Sequence, residues 1–260
     1  MAVTTPGPCR MKPRAGSTPD LSHPYASGLV EAYLLNEGSG RLVTDCVSLT
    51  QGFFRNGTPT WVPTACGGGV RFNGSSDIAN FDHPRFGYGG GSGSAGPYAI
   101  LAGVRVNSVS GFGTIYASGN TGLYVQTGPT FTNYNVQATA TTLTLNTPIL
   151  IGTSAGYAKP VYVLMNGVLD GFTASPGNVP VIDPTSLIGG HGGEYFNGDI
   201  SFIYVYNRYV PPELMAAIQA DPFAMFEAPD DLRRVTCIGA AVARAGAAVA
   251  STFAALTVAP

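Results

Sequence analysis

Residues 195–222, YFNGDISFIYVYNRYVPPELMAAIQADP, constrain the fold more than any other stretch of this chain. The pattern predicts a strand that is apolar on both sides, with Ile200, Phe202, Tyr204 and Tyr206 on one face and Ile203 and Val205 on the other. Such a strand belongs in the middle of a sheet covered on both faces, since water on either side would meet several large side chains. The chain breaks at Val210-Pro211-Pro212 and is then expected to form one short helix over residues 211–219. Proline suits the first turn, where its missing N–H costs nothing, and Glu213 suits the positive helix end.

The rest of the chain has few charges and many turn formers. Only 11% of its 260 residues are charged, against roughly 25% in an ordinary globular domain. Thirty-five Gly and 20 Pro accompany 13 Tyr and 13 Phe, a mixture that favours many strands joined by tight turns. Strands are expected over 28–35, 98–106, 113–118, 122–127, 131–145, 148–154 and 160–165. Asn166-Gly167 predicts a two-residue hairpin turn returning into 168–174, and 186–190 precedes the central strand. Residues 1–26, with Pro6, Pro8, Pro13, Pro19 and Pro24, read as an extended arm. Residues 27–220 read as one sandwich and 221–260 as a C-terminal extension for docking or assembly.

Charge and spacing exclude several functions. The formal net charge is −2 with no basic cluster, so nucleic acid is not an expected partner. The first residues lack an apolar signal segment, and Arg244 interrupts the Ala-rich stretch 238–258, so no membrane span is expected. The glycine-rich loop 86–96 lacks the strand-to-helix setting of a phosphate cradle. Cys9, Cys46, Cys66 and Cys237 form no close metal-binding pair and are expected to be four reduced thiols, although Cys46 and Cys66 are placed where they can face each other. His23, His83 and His191 show no ligand or nucleophile spacing. Asp170, Asp183, Glu194 and Asp199 are expected at turns or strand starts, Asp199 as a turn carboxylate.

Several ordered motifs resemble laminin-G-like domains of the concanavalin A type. The opening GLVEAYLLNEGSGRLVTD matches through Asn36, Glu37, Gly38, Ser39, Gly40 and Asp45, and the next hairpin through Pro59, Trp61, Gly69, Phe72, Asn73 and Gly74. The closing strand matches through Phe196, Gly198, Ile200, Val205, Tyr206, Asn207 and Arg208, followed by Pro212, Glu213 and Leu214. The resemblance covers residues 28–220 and implies an all-β, two-sheet antiparallel jelly-roll sandwich with terminal arms. The arm PRAGSTPDLSHP and the segment DPFAMFE resemble versions of the domain encoded by tailed bacteriophages and prophages.

That resemblance implies a structural protein of the virion, made in the host cytoplasm and exposed on a phage capsid or tail. Its expected partners are the major capsid protein or tail proteins, and other copies of itself. The alternative is a carbohydrate-binding adhesin for a host-surface glycan, with Tyr88, Tyr157, His191, Glu194, Tyr195 and Tyr209 as candidate contacts. Glycan cleavage ranks third. Retaining glycosidases of this fold place two carboxylates about 5–5.5 Å apart, and the E-x-D-x-x-E strand they use is missing, so the chain is expected not to be an enzyme. No cofactor is expected. A single Ca²⁺, as the resemblance allows, would fall to Asp77 or Asp82.

Overall fold

The computed structural model describes residues 12–56, 59–81, 96–118, 121–128, 130–133, 143–156, 159–173 and 186–226. The chain opens with β1 (Leu29–Tyr33), β2 (Leu42–Thr44), β3 (Gln51–Phe54), β4 (Thr60–Thr64), β5 (Gly67–Asn73) and β6 (Ala79–Phe81). Next come β7 (Tyr98–Val106), β8 (Phe112–Ser118), β9 (Thr121–Gln126), β10 (Thr130–Asn133) and β11 (Pro148–Gly156). The series ends with β12 (Lys159–Met165), β13 (Val168–Thr173), β14 (Ser186–Ile188), β15 (Gly190–His191), β16 (Glu194–Tyr195) and β17 (Asn197–Tyr206). One helix, α1 (Pro212–Ala220), follows.

These strands form a two-sheet sandwich, the all-β jelly-roll class expected from the sequence. The first sheet runs β13-β12-β11-β7-β17-β5-β4, with β1 also pairing β17. The second runs β10-β9-β8-β14-β6-β3-β2 and carries the small β15–β16 hairpin. Its pairings are antiparallel apart from one parallel contact, Tyr195 to Thr114. Asn166 and Gly167 both take positive φ, 48° and 78°, the geometry of the expected hairpin turn between β12 and β13.

β17 is central, as its two apolar faces require. β7 pairs along one edge, while β5 and β1 share the other, β5 at Asn197–Ile200 and β1 at Ile203–Tyr206. A bulge falls between Ile200 and Phe202, so Ser201 is the extra residue. This corrects the expected facing of Ile200. The inserted residue turns Ile200 into the inter-sheet core with Ile203 and Val205, while Phe202, Tyr204 and Tyr206 face away from it. Those three aromatic residues form a second core beneath Met215 and Ile218 of α1 and beneath Phe223 and Met225.

The helix is fixed by its own side chains. Gln219 donates to the Leu164 carbonyl at 3.2 Å and accepts from the Gly167 amide at 2.5 Å, tying α1 to the β12–β13 hairpin. Residues 12–26 lie across this side of the sandwich. The Lys12 ammonium donates to the carbonyls of Leu34, Gly68 and Ser201, the first at 2.8 Å. Asn36 donates to the Pro13 carbonyl at 2.7 Å, and the Asp20 amide reaches the Met225 carbonyl at 2.7 Å.

The cysteines depart from the expectation of four reduced thiols. Cys66, at the β4–β5 turn, is disulfide-bonded, while Cys46 is a free, buried thiol. Cys46 and Cys66 therefore do not pair. Wide spacing argued against a close metal pair, but it carries no information about which distant segments meet.

One polar cluster crosses the core between the sheets. Glu31 of β1, 2% exposed, accepts hydrogen bonds from Tyr33 at 2.9 Å, Tyr116 of β8 at 2.8 Å and Ser186 of β14 at 2.9 Å. Every carboxylate oxygen is thus met, which is what makes burial of this group tolerable.

Candidate functional site

At one end of the sandwich, β15 and β16 form a two-residue hairpin. Gly192 and Gly193 make its turn with φ of 59° and 92°, a backbone that side-chain-bearing residues adopt poorly. The register sets His191 opposite Glu194 and Gly190 opposite Tyr195. Side chains at directly paired positions share a face, so His191 and Glu194 project together on one side of the hairpin. Gly190 leaves room on the other side for Ile78 and the Tyr195 ring, which come within 2.7 Å and 2.9 Å of where a β-carbon at 190 would sit.

Tyr195 lines a small recess of about 40 Å³ between the ends of the two sheets. Asn197 at the start of β17 and Ser108, Val109 and Ser110 after β7 form its polar and mixed walls. Gly74, Gly113 and Val125 complete the lining. Ser108 and Ser110 are exposed, and Tyr195 and Asn197 are half-buried. The recess therefore offers one aromatic face, one amide and two hydroxyls on a floor with little bulk.

A charged row lies beside it. Asp199, two residues beyond Asn197 on the same face of β17, pairs in register with Arg71 of β5 and Arg105 of β7. Arg71 holds the carboxylate through two bonds, at 2.8 Å and 3.3 Å, and Arg105 through its Nε at 2.9 Å and its Nη2. The Asp199 side chain is 3% exposed, but those of Arg71 and Arg105 are 44% and 34% exposed. Asp199 is thus a mid-strand carboxylate rather than the expected turn residue. Its neighbours in the strand ladder, not a local turn, hold it.

The candidate residues separate into three groups. The hairpin carries His191, Glu194 and Tyr195, but on opposite faces: Tyr195 lines the recess, while His191 and Glu194 project from the other side. Tyr209 does not join them. It follows the other end of β17, roughly 30 Å away along ten residues of strand, and packs against Tyr162 with ring centroids 6.0 Å apart. Tyr88 and Tyr157 lie outside the described residues. Sequence reading missed Asn197, Ser108 and Ser110, and it missed Arg71 and Arg105. The last two carried a legible signal: each is a lone charge inside an otherwise uncharged strand, as is Asp199.

Of the two residues named for Ca²⁺, Asp82 lies outside the described residues. Asp77 accepts from the backbone and side-chain amide of Asn73, at 2.9 Å and 3.1 Å, within a single turn. Among the described residues no three His, Cys, Asp or Glu side chains form a metal cluster. Among the same residues no helix is long and apolar enough to cross a membrane.

No family model and no curated protein matches the chain. Solved structures do. A Trypanosoma rangeli sialidase in complex with 2,3-difluorosialic acid is similar at 14% identity and a TM-score of 0.58, over 78% of this chain and 34% of the sialidase. The binding domain of botulinum neurotoxin DC in complex with SialylT is similar at 11% identity and a TM-score of 0.53. The binding domain of paraclostridial mosquitocidal protein 1 is similar at 9% identity and a TM-score of 0.57. Each of these two matches covers 75% of this chain and 52% of the toxin chain. The chain thus spans about a third of the sialidase and about half of each toxin chain.

One expectation falls on these comparisons. The chain was expected not to be an enzyme because it lacks the paired-carboxylate strand. The similar structures include several of a sialidase, one a covalent intermediate, so a missing motif from one glycosidase class does not exclude catalysis. What the likeness shows is the fold, a jelly-roll-like β-sandwich shared with sialidase chains and toxin binding domains.

Proposed function

We propose that this protein is a carbohydrate-binding module that takes a sugar on the surface around Tyr195 and Asn197, over the recess they line. The supporting observation is the lining of that recess, which brings the half-buried Tyr195 and Asn197 together with the exposed Ser108 and Ser110. A sugar ring stacks its C–H face on an aromatic plane, and its hydroxyls exchange hydrogen bonds with amides and hydroxyls. The named complexes of similar folds, a toxin binding domain with SialylT and a sialidase with sialic acid, support the same class of ligand. A glycan array followed by titration of the best binder tests the reading. Tyr195→Ala is expected to weaken binding about tenfold or more, the loss of one stacking face. Binding unchanged in that variant, or no binder at millimolar glycan, rejects it.

A second reading places the module on a phage particle, anchored by its termini to capsid or tail proteins and meeting a host glycan there. What motivates it is the resemblance of PRAGSTPDLSHP and DPFAMFE to phage-encoded versions of the domain; residues 12–26 themselves pack on this chain's own sandwich through Lys12, Asn36 and Asp20. Co-sedimentation with virions tests this. Saturable binding that is lost on removing residues 1–26 or 221–260 supports it, and no binding by the full chain rejects it.

A further inference from the structure

The Arg71–Asp199–Arg105 row holds more positive charge than its structural task needs. One guanidinium suffices to pair one carboxylate, yet two are aimed at Asp199 from neighbouring strands. Each uses its Nε and Nη2, leaving both Nη1 groups without a hydrogen-bond partner among the described residues. Both arginines keep more than a third of their side-chain surface in water, while the carboxylate between them is covered. The row therefore presents two fixed cationic edges to solvent and carries a net positive charge.

Its position gives that charge a use. Asn197, in the cleft wall, precedes Asp199 by two residues on the same face of β17, a spacing of roughly 7 Å. That is about the width of one sugar ring, so a ring held by the Asn197 amide at the rim of the recess brings an outward substituent to the guanidiniums. A carboxylate placed there accepts charge-assisted hydrogen bonds from donors that need no reorganisation. A neutral hydroxymethyl group at the same point gains far less.

From this geometry we infer that the cleft selects anionic sugars, with Arg71 and Arg105 as the residues that read the acidic group. The inference rests on the carbohydrate-binding reading above and names its ligand class. Asp199 is a positioning residue, holding both guanidiniums from neighbouring strands on one carboxylate.

Matched ligands test it. Methyl β-D-glucuronide and methyl β-D-glucoside differ in one carboxylate, and glucose 6-sulfate separates a need for negative charge from a need for a carboxylate. Titration of the full chain, followed by NMR or calorimetry, is expected to show the glucuronide binding about tenfold more tightly than the glucoside. That preference is expected to shrink in high salt and to vanish in Arg71→Gln, where Arg105 still pairs Asp199 and preserves the fold. Arg105→Gln tests the other edge in the same way. Sulfate binding equal to carboxylate binding supports general anion selection, and weaker sulfate binding supports carboxylate selection. Equal affinity for glucuronide and glucoside, or a preference that survives both substitutions, overturns the inference and leaves the cleft reading standing. Absence of binding by all three sugars, or binding untouched by Tyr195→Ala, overturns the cleft reading with it.

Discussion

The Tyr116 hydroxyl on β8 donates to the Glu31 carboxylate on β1 at 2.8 Å, so the two sheets are joined by a hydrogen bond through the middle of the core. Burial pushes Glu31 up to about 7, although the bonds from Tyr116, Tyr33 and Ser186 pull the other way. Its pKa is raised on folding, so the folded state holds a proton that the unfolded chain has released. The associated stability is complete below about 4.5 and is lost as pH rises through about 7. Across that window the loss is on the order of 3 kcal/mol. Denaturant midpoints measured from pH 4 to 8 are expected to fall. Glu31→Gln, which keeps two acceptor lone pairs and a donor for Ser186, is expected to flatten the profile.

Lys12 predicts the opposite slope at higher pH. Loss of water on burial lowers its pKa from 10.5 to about 7, and the charge of Glu37 only partly opposes this. Between those values the unfolded chain binds the extra proton, so stability is expected to rise from pH 7 towards 10. With Glu31, this sets a stability minimum near neutrality. Lys12→Met is expected to remove the alkaline rise and to make residues 12–26 cleavable by trypsin-like or general proteases. An arm equally resistant in the variant contradicts the anchoring role.

Asp199→Asn leaves two guanidiniums facing an amide where a carboxylate stood. Because both arginines reach water, the expected cost is about 2 kcal/mol, less than for a fully buried pair. Thermal or chemical unfolding measures it, and a neutral result would show the row to be a surface feature rather than part of the ladder.

Gln219→Ala removes the two bonds that hold α1 to the β12–β13 hairpin. The expected loss is about 1–3 kcal/mol, since the Gly167 amide and the Leu164 carbonyl both lose a partner. Faster hydrogen exchange at Gly167 is expected to accompany it.

What could be read in the sequence follows from how far each feature reaches along the chain. The turn at Asn166-Gly167 and the start of α1 depend on residues a few positions apart, and both were legible. The bulge at Ser201 was not. One inserted residue changes which face Ile200 takes without altering the composition of the strand. The Arg71–Asp199–Arg105 row joins residues separated by 128 and 94 positions, so only the assembled sheet brings them together. Tyr209 shows the converse, since nearness in sequence to Tyr195 hid a whole strand length between them. The cleft is hidden for both reasons, because its walls come from five separate segments.

The position of β17 has a consequence for how the protein is made. β1, β5 and β7 all pair with a strand that is synthesised after them, and β1 waits for residues about 170 positions further on. At roughly 5–20 residues per second the ribosome needs on the order of ten to thirty seconds to supply it. During that interval the leading half of the chain carries open strand edges and cannot close its sheet. Folding is therefore expected to complete only after β17 has left the exit tunnel, and chains truncated before Tyr206 are expected to associate through those edges instead of folding.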